Sequence, residues 1–494
     1  MTNQEHWLNA AKQLYENKIA EPVLWLGDDK HYKEAKQIFG NNVQSMLQFV
    51  HRPFLFKDTD YSAKNIEFFE SINYLRAKDV CLKMMDRIDL NSSLGRLDRE
   101  VYFNNIVIWT LKKIKESKPD VLLTVENPHS HAQYLIYEIC LFHDIPVFKF
   151  NNWMPVPLLF LENIKTGKRI EHKLDIDHCD VDIQIEKEIQ KFIFDIINQN
   201  KNFEPSYMKT HKKNRLLINR FINYLKSGFI NDLKDIKFNL SNQLSSKYIP
   251  TNPFSIGFVG RQLIRKKRIN NLRNQIKVHE EKISLNKPYV YFPLHYEPER
   301  TTNPDGKRFH DQFSALIELR KIVPNDINII VKEHPSQILV ANKGSRGRSP
   351  LFYNLIKNIE GVKLAPTFYN SVQLMLKSKF VATITGSVAL EASVLGVKTL
   401  TFGQTWYNGL PNTFSWKKNI SYEFIISQEI EDKEAIINFL MSLKNNFSVP
   451  AFQNHSQRNI FKRYETSEFE NLQSRRLYNL LANFFKNKLY NKIT

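Results

Sequence analysis

Cysteine is scarce in this chain. Three occur among 494 residues, Cys81, Cys140 and Cys179, and their spacing suits neither a disulfide framework nor a thiolate metal site. No apolar run approaches the roughly 20 residues needed to cross a bilayer. The opening stretch, MTNQEHWLNAAKQLYENK, has no apolar centre of the kind a signal peptide carries. The expectation is a protein of the reducing cytoplasm, soluble or peripheral to a membrane. There is no internal repeat, no low-complexity tract, no nucleic-acid recognition motif and no phosphate-gripping P-loop spacing. No Asp-x-Asp follows a clear strand, so a metal-bridged pyrophosphate is not indicated.

Basic charge is abundant and local. The formal net charge is +19. Residues 201–290 hold 19 Lys/Arg against 5 Asp/Glu, and residues 471–494 hold five basic and no acidic residues, so the rest of the chain is neutral. Apolar residues interleave with these charges at helical spacing. That pattern suits either an amphipathic surface against anionic headgroups or a solvated helix face.

The length exceeds one compact core, and the pattern divides accordingly. Residues 1–165 alternate strand-like runs (23–26, 121–125, 146–150) with helical stretches, as in βαβ units. Residues 166–286 read as a basic helical connection. Residues 287–470 return to alternation, with strands expected at 289–292, 327–331, 362–364, 380–384 and 399–402, and helices near 310–322, 350–358, 369–377 and 387–395. Residues 471–494 form a basic amphipathic helix. The fold class expected is α/β, two Rossmann-like doubly wound domains with a helical insertion.

In open α/β sheets ligands bind beyond the carboxyl ends of the strands, and candidate chemistry collects there. After the strand at 289–292 come His295, Glu297, Glu299 and Arg300: carboxylates for proton transfer or hydroxyl orientation, an imidazole for a phosphate or a proton, and a guanidinium for phosphate charge. The next strand delivers Lys332, His334 and Pro335. The turn Thr385-Gly386-Ser387 follows a third strand and opens a helix, where backbone N–H groups favour an anion; Glu391, one turn further, is placed to accept hydrogen bonds from sugar hydroxyls. In the first half, Glu126 follows the strand at 121–125 with His129 and His131, placing Glu126 as a candidate base on an acceptor hydroxyl. The basic loop 342–349 is expected to be a flap or a solvated loop. The acidic residues Asp175, Asp177, Asp180 and Asp182 are expected to sit in an exposed loop, their spacing matching no metal site.

The segments PLHYEPE, VKEHP, GRSPLFY and TITGSVALEASVLGVKTLTFG together resemble bacterial capsule and surface-polysaccharide biosynthesis proteins of the two-domain GT-B type, some of which look like transferases of CMP-activated acidic sugars such as Kdo. The resemblance is good over about 288–410 and looser over 100–160. It implies that His334, Pro335, Gly386, Ser387 and Glu391 hold the nucleotide. The resulting expectation is a metal-independent glycosyltransferase moving a sugar from a nucleotide-activated donor to a surface glycan or glycolipid acceptor. Catalytic residues would be Glu297, His295 and Glu126; donor contacts would be Lys332, His334, Pro335, Thr385, Gly386, Ser387, Glu391 and Arg300. No cofactor is expected, the nucleotide sugar being a substrate, and no specific nucleic acid. The basic segments 201–285 and 471–494 would hold the protein on the inner face of the plasma membrane. Alternatives are a CDP-polyol phosphotransferase of teichoic-acid type, a sugar-nucleotide epimerase, and a non-catalytic polyanion- or membrane-binding protein.

Overall fold

The computed structural model describes residues 5–27, 30–45, 66–88, 95–153, 156–172, 180–198, 258–298, 302–338, 344–453, 462–464 and 466–491. Two large sheets, of six and four strands, organise these residues beside a small two-stranded one. The larger has six parallel strands, β6 (Tyr289–Pro293), β7 (Asn328–Lys332), β8 (Val362–Ala365), β9 (Val381–Thr383), β10 (Thr399–Thr401) and β11 (Thr413–Ser415), in the spatial order β11-β10-β9-β6-β7-β8. Its strands are runs of Val, Ile, Phe and Tyr buried on both faces, as a sheet covered by helices on each side requires. One face packs Val290, Phe292, Ile329 and Val331 against helices Phe258–His279 and Gln312–Ile322. The other packs Tyr289, Tyr291 and Ile330 against helices Ser371–Leu376 and Val388–Val394.

The α/β reading holds, and in this sheet the expected strands and helices fall within two residues of those observed, while β11 is an addition to them. The first half departs from simple βαβ repetition. β1 (Trp25–Gly27) and β2 (Val43–Ser45) form a separate two-stranded parallel sheet. β3 (Leu122–Thr124) and β4 (Val147–Asn152) are parallel across helix His131–Phe142, but β5 (Leu158–Asn163) returns antiparallel to β4. The short connection from 153 to 157 has no room for a crossover helix, so only a hairpin-like return is open to it. β12 (Ser448–Pro450) then pairs antiparallel with β5, so a strand that follows the six-stranded sheet in sequence completes the four-stranded one.

The helix Ser467–Lys486 corrects the membrane reading of 471–494. Thr466 caps it by accepting the Phe469 N–H at 3.1 Å, and its apolar stripe, Phe469, Leu472, Leu477, Leu480, Leu481 and Phe484, is buried. Leu477, Leu480 and Phe484 pack with Trp7 and Leu14 of helix Glu5–Glu16 and with Phe148, Phe150 and Val449 of the first sheet. Each such burial contributes about 1.5–3 kcal/mol, so this stripe belongs to the core. Arg476 is buried too, donating to both carboxylate oxygens of Asp182 at 2.9 and 2.8 Å. Asp180 and Asp182 accordingly open the helix Asp180–Ile197, Asp182 buried, and are not in an exposed loop; Asp175 and Asp177 lie outside the described residues. Of the basic connection, 199–257 also lie outside them. Helix Phe258–His279 buries Ile269, Leu272 and Ile276 and leaves Lys266, Lys267, Arg268 and Lys277 exposed.

Candidate functional site at the switch point

Read from one edge, the six strands run β8, β7, β6, β9, β10, β11: the chain moves outward in one direction for three strands and then in the other for three. The reversal falls between β6 and β9, and such a switch point leaves a crevice beyond the carboxyl ends of the two strands. His295 follows β6 and Thr385–Ser387 follow β9. The register sets them level: Tyr291 pairs with Val381, and Pro293 pairs with Lys332 on the other side. His295 therefore stands four residues beyond one pair, beside Thr385, and two beyond the other, beside His334.

His295 is buried and bonded directly to the turn. The Ile384 backbone N–H donates to His295 Nε2 at 3.3 Å, and the Thr383 hydroxyl lies 3.1 Å from the same nitrogen while accepting the Gly386 N–H at 3.2 Å. A nitrogen that accepts an N–H carries no proton, so the imidazole proton is on Nδ1 and the Thr383 hydroxyl donates to Nε2. Gly386 is required here by space. A Cβ on it would lie 2.7 Å from Thr383 Oγ1 and 3.3 Å from His295 Cε1.

The loop after His295 is held at both ends. The Gln312 amide accepts the His295 N–H at 2.9 Å and donates to the Glu297 carboxylate at 2.7 Å. The Gln337 amide accepts the Glu297 N–H at 2.7 Å and donates to the Glu297 carbonyl at 3.0 Å. Gly347 lies against the Glu297–Pro298 peptide, where a Cβ would come within 2.3 Å of the Pro298 nitrogen. The loop at 342–349 is thus docked over its described part, 344–349, rather than solvated. Glu299 and Arg300 lie outside the described residues.

Beyond β7 the buried Glu333 carboxylate joins three segments. It accepts from Arg348 Nε at 3.1 Å, from the Tyr353 hydroxyl at 2.6 Å and from the His334 N–H at 2.7 Å, and Arg348 also donates to the His295 carbonyl at 3.0 Å. His334 Nδ1 accepts the Ser336 N–H at 3.1 Å, which puts the proton on Nε2; its ring lies 6.0 Å from that of Tyr296. Pro335 is exposed. Lys332 points into the fold: its ammonium donates to the Tyr369 carbonyl at 2.6 Å and to Ser371 Oγ at 2.8 Å, and burial lowers its pKa to about 8.

Ser387 is exposed, and its hydroxyl donates to the Glu391 carboxylate at 3.3 Å. Burial raises Glu391 to about 7 against that hydrogen bond, so near neutral pH it is poised between a donor and an acceptor. Tyr407 donates to the Gly386 carbonyl at 2.5 Å and fixes the turn from below.

The first sheet meets this edge through polar groups. Glu126 is buried, 3.6 Å from His129 Nε2, and His129 Nδ1 lies 2.6 Å from the Asn127 carbonyl. His131 starts the helix behind it and is buried against Tyr102, so it sits apart from Glu126 in the helix core. Asn127 donates to Asp305, and Lys149 of β4 donates to Asp305 at 2.7 Å and lies 3.9 Å from Glu162 of β5. Gln404, after β10, donates to Glu162. Burial alone would lower the Lys149 pKa, but Asp305 and Glu162 outweigh it and keep the ammonium charged. The Glu162 carboxyl is raised by burial. Sequence reasoning missed Lys149, Glu162 and Asp305. The signal was a lone charge inside the apolar strands VFKFNN and LLFLEN, where an unpaired charge is too costly to bury. An apolar cavity of about 400 Å³ lined by Phe68, Leu111, Ile114 and Phe142 lies at the opposite edge of the first sheet, beside the residues that precede β3 and β4.

The loops that build the switch point fall inside one recognisable stretch. Residues 223–414 match the family of capsule polysaccharide biosynthesis proteins. The matched segment includes all of β6 to β10 and every loop described above on the six-stranded sheet. Among solved structures, the chain is similar to Thermosulfurimonas dismutans KpsC described as a beta Kdo 2,7 transferase, at 14% identity over 44% of this chain and 67% of that one, TM-score 0.23. It is similar to KpsC of the same organism described as a beta Kdo 2,4 transferase, at 16% identity over 36% of this chain and 54% of that one, TM-score 0.23. It is also similar to the UDP-GlcNAc 2-epimerase of Methanocaldococcus jannaschii, at 16% identity over 75% and 83% of the two chains, TM-score 0.21. No curated relative matches the sequence.

Proposed function

We propose that the protein is a glycosyltransferase of capsule or surface-polysaccharide assembly, transferring a sugar from a nucleotide-activated donor to a glycan or glycolipid acceptor. The observation that carries this reading is the direct contact of His295 with the Thr383–Gly386 turn across the switch point. The donor phosphate sits against the Gly386-Ser387 turn and the imidazole N–H groups of His295 and His334, and Glu391 meets the sugar hydroxyls. The acceptor approaches from the first sheet; its hydroxyl oxygen bonds to the anomeric carbon as the bond to phosphate breaks, and Glu126 takes the hydroxyl proton. Glu297, held by Gln312, is the second carboxylate of this reading. Pre-organised donors and fixed orientation supply the rate enhancement, without a metal. The exposed basic face Lys266, Lys267, Arg268 and Lys277, with the rest of 201–285, holds the enzyme to an anionic membrane by charge alone.

Titration with CMP, UDP, GDP and CDP, followed by incubation with the matching sugar nucleotides and a glycan acceptor, tests the reading. A glycosidic product that disappears in His334→Ala, with the fold intact, supports it. Normal transfer by that variant removes the donor assignment, and a phosphodiester product removes the sugar-transfer reaction.

A further inference from the structure

The apolar cavity in the first half of the chain stands apart from the reaction proposed above, because it opens at the edge of the first sheet away from the switch point. Its volume, about 400 Å³, is within the range of sites that take small ligands. Phe68, Leu111, Ile114, Phe142 and Ile145 line it. Phe68, Leu111 and Ile114 are buried members of the core of this half, and the Phe68 ring meets that of Phe142 edge-on at 5.2 Å. The walls are therefore fixed by core packing. A space bounded in this way offers water few partners and is open to an apolar group.

Its mouth is charged. Lys115, Lys118 and His143 border it, all exposed, and Glu67 is the single carboxylate among the lining residues. Lys112 and Lys113, on the same helix as Lys115, face Glu116 at 4.0 and 2.8 Å; Lys115 and Lys118 have no carboxylate within ion-pair distance among the described residues. The backbone fixes Lys118 at the opening. It ends the helix Arg96–Ser117 in the left-handed conformation that usually falls to glycine, φ 44°, with its N–H donating to the Ile114 carbonyl at 2.9 Å. A helix end favours a cation, and two unpaired cations beside an apolar opening also suit a ligand with an anionic head and an apolar tail.

We propose that this cavity binds a single-chain fatty carboxylate, with the chain against Phe68 and Ile114 and the carboxylate at Lys115 and Lys118. A single cavity of this size takes one chain, which separates the ligand from a two-chain membrane phospholipid. The proposal is independent of the transferase reading.

The test is titration calorimetry of the full chain at pH 8 with hexanoate, octanoate and decanoate, and with decanol as the uncharged control. Affinity should rise about fourfold for each added methylene. The double variant Lys115→Gln/Lys118→Gln changes only exposed positions, so its melting temperature should stay in place. It should weaken decanoate about tenfold and leave decanol unchanged. Ile145→Trp narrows the cavity and should weaken both ligands, with the fold checked by melting. Wild-type protein that does not bind decanoate, or decanoate binding that is unchanged in the double lysine variant, overturns the proposal. So does wild-type affinity for both ligands in a folded Ile145→Trp protein. Vesicles of anionic two-chain phospholipid should bind wild type and the double lysine variant alike; a tenfold loss there would give the site to a membrane phospholipid and overturn the single-chain assignment.

Discussion

Lys149 and Asp305, 156 residues apart in the chain, meet at 2.7 Å between the two sheets, with Lys149 1% and Asp305 14% exposed at the side chain. Asn127 shares the same carboxylate, and Gly403 packs against the Asp305 carbonyl so closely that a Cβ there would come within 2.8 Å. Above them Trp153 stacks on Trp406 at 5.4 Å, and Arg169 donates to the Trp406 and Asn408 carbonyls. The loop carrying Asp305 is therefore where the first sheet grips the second.

Lys149→Met leaves Asp305 and Glu162 without their shared cation, and Asp305→Asn leaves the buried Lys149 ammonium with Glu162 alone, 3.9 Å away. Lys149→Met and Asp305→Asn should each cost about 3–5 kcal/mol of unfolding free energy, and the double variant should cost clearly less than their sum. Denaturant midpoints in a double-mutant cycle measure this; additive losses would show the two groups to be uncoupled.

Gly386→Ala forces a methyl into the space between Thr383 Oγ1 and His295 Cε1. The hydrogen bonds to His295 Nε2 should be lost, with transfer reduced at least tenfold and only a small change in melting temperature. A variant with wild-type activity would mean that the turn relaxes without cost to the site.

Glu391 yields a pH dependence with a definite sign. Its pKa is raised in the folded state to about 7, above its unfolded value, so the folded protein binds the extra proton. The carboxyl carries no penalty below the unfolded pKa; stability then falls as pH climbs toward 7 and the loss is complete above it. Glu391→Gln should flatten the melting-temperature profile between about pH 5 and 7 and stabilise the protein at pH 8. An unchanged profile would place the titration elsewhere.

Arg348 faces Glu333 in a fully buried network that also ties down His295. Arg348→Met should lower stability by about 3–5 kcal/mol and abolish transfer. Arg348→Lys should rescue little, since an ammonium cannot reproduce the planar fork that serves Glu333 and the His295 carbonyl together. Full rescue by lysine would reduce the role of Arg348 to charge alone.

Leu480 is fully buried in the helix Ser467–Lys486. Leu480→Ala should cost about 2–5 kcal/mol and leave binding to anionic vesicles unaltered, whereas neutralising Lys266, Lys267 and Arg268 should weaken such binding. Loss of vesicle binding in a folded Leu480→Ala protein would return that helix to the membrane.

The parts legible in the sequence share a short range. β6 to β10 announce themselves as apolar runs closed by His-, Pro- or Gly-bearing loops, because a strand buried on both faces must be continuously hydrophobic. The Thr385–Ser387 turn and the helix after it follow from local geometry in the same way. What hid was anything whose meaning lies in a distant partner. Asp182 looked like a loop acid until Arg476, 294 residues on, supplied its countercharge, and the stripe of 467–486 looked like a membrane face because helical periodicity does not say what covers it.

By itself the sequence determined the alternation of strands and helices, five of the six strands of the larger sheet and the residue types waiting at its carboxyl edge, since these depend on side-chain period and turn chemistry within a few residues. Only the tertiary structure decided the strand order that puts His295 against the Gly386 turn, the pairing of Lys149 with Asp305, and the burial of the last long helix. Those outcomes rest on desolvation and packing between segments far apart in the chain, and burial becomes definite only once the partner segments are in place.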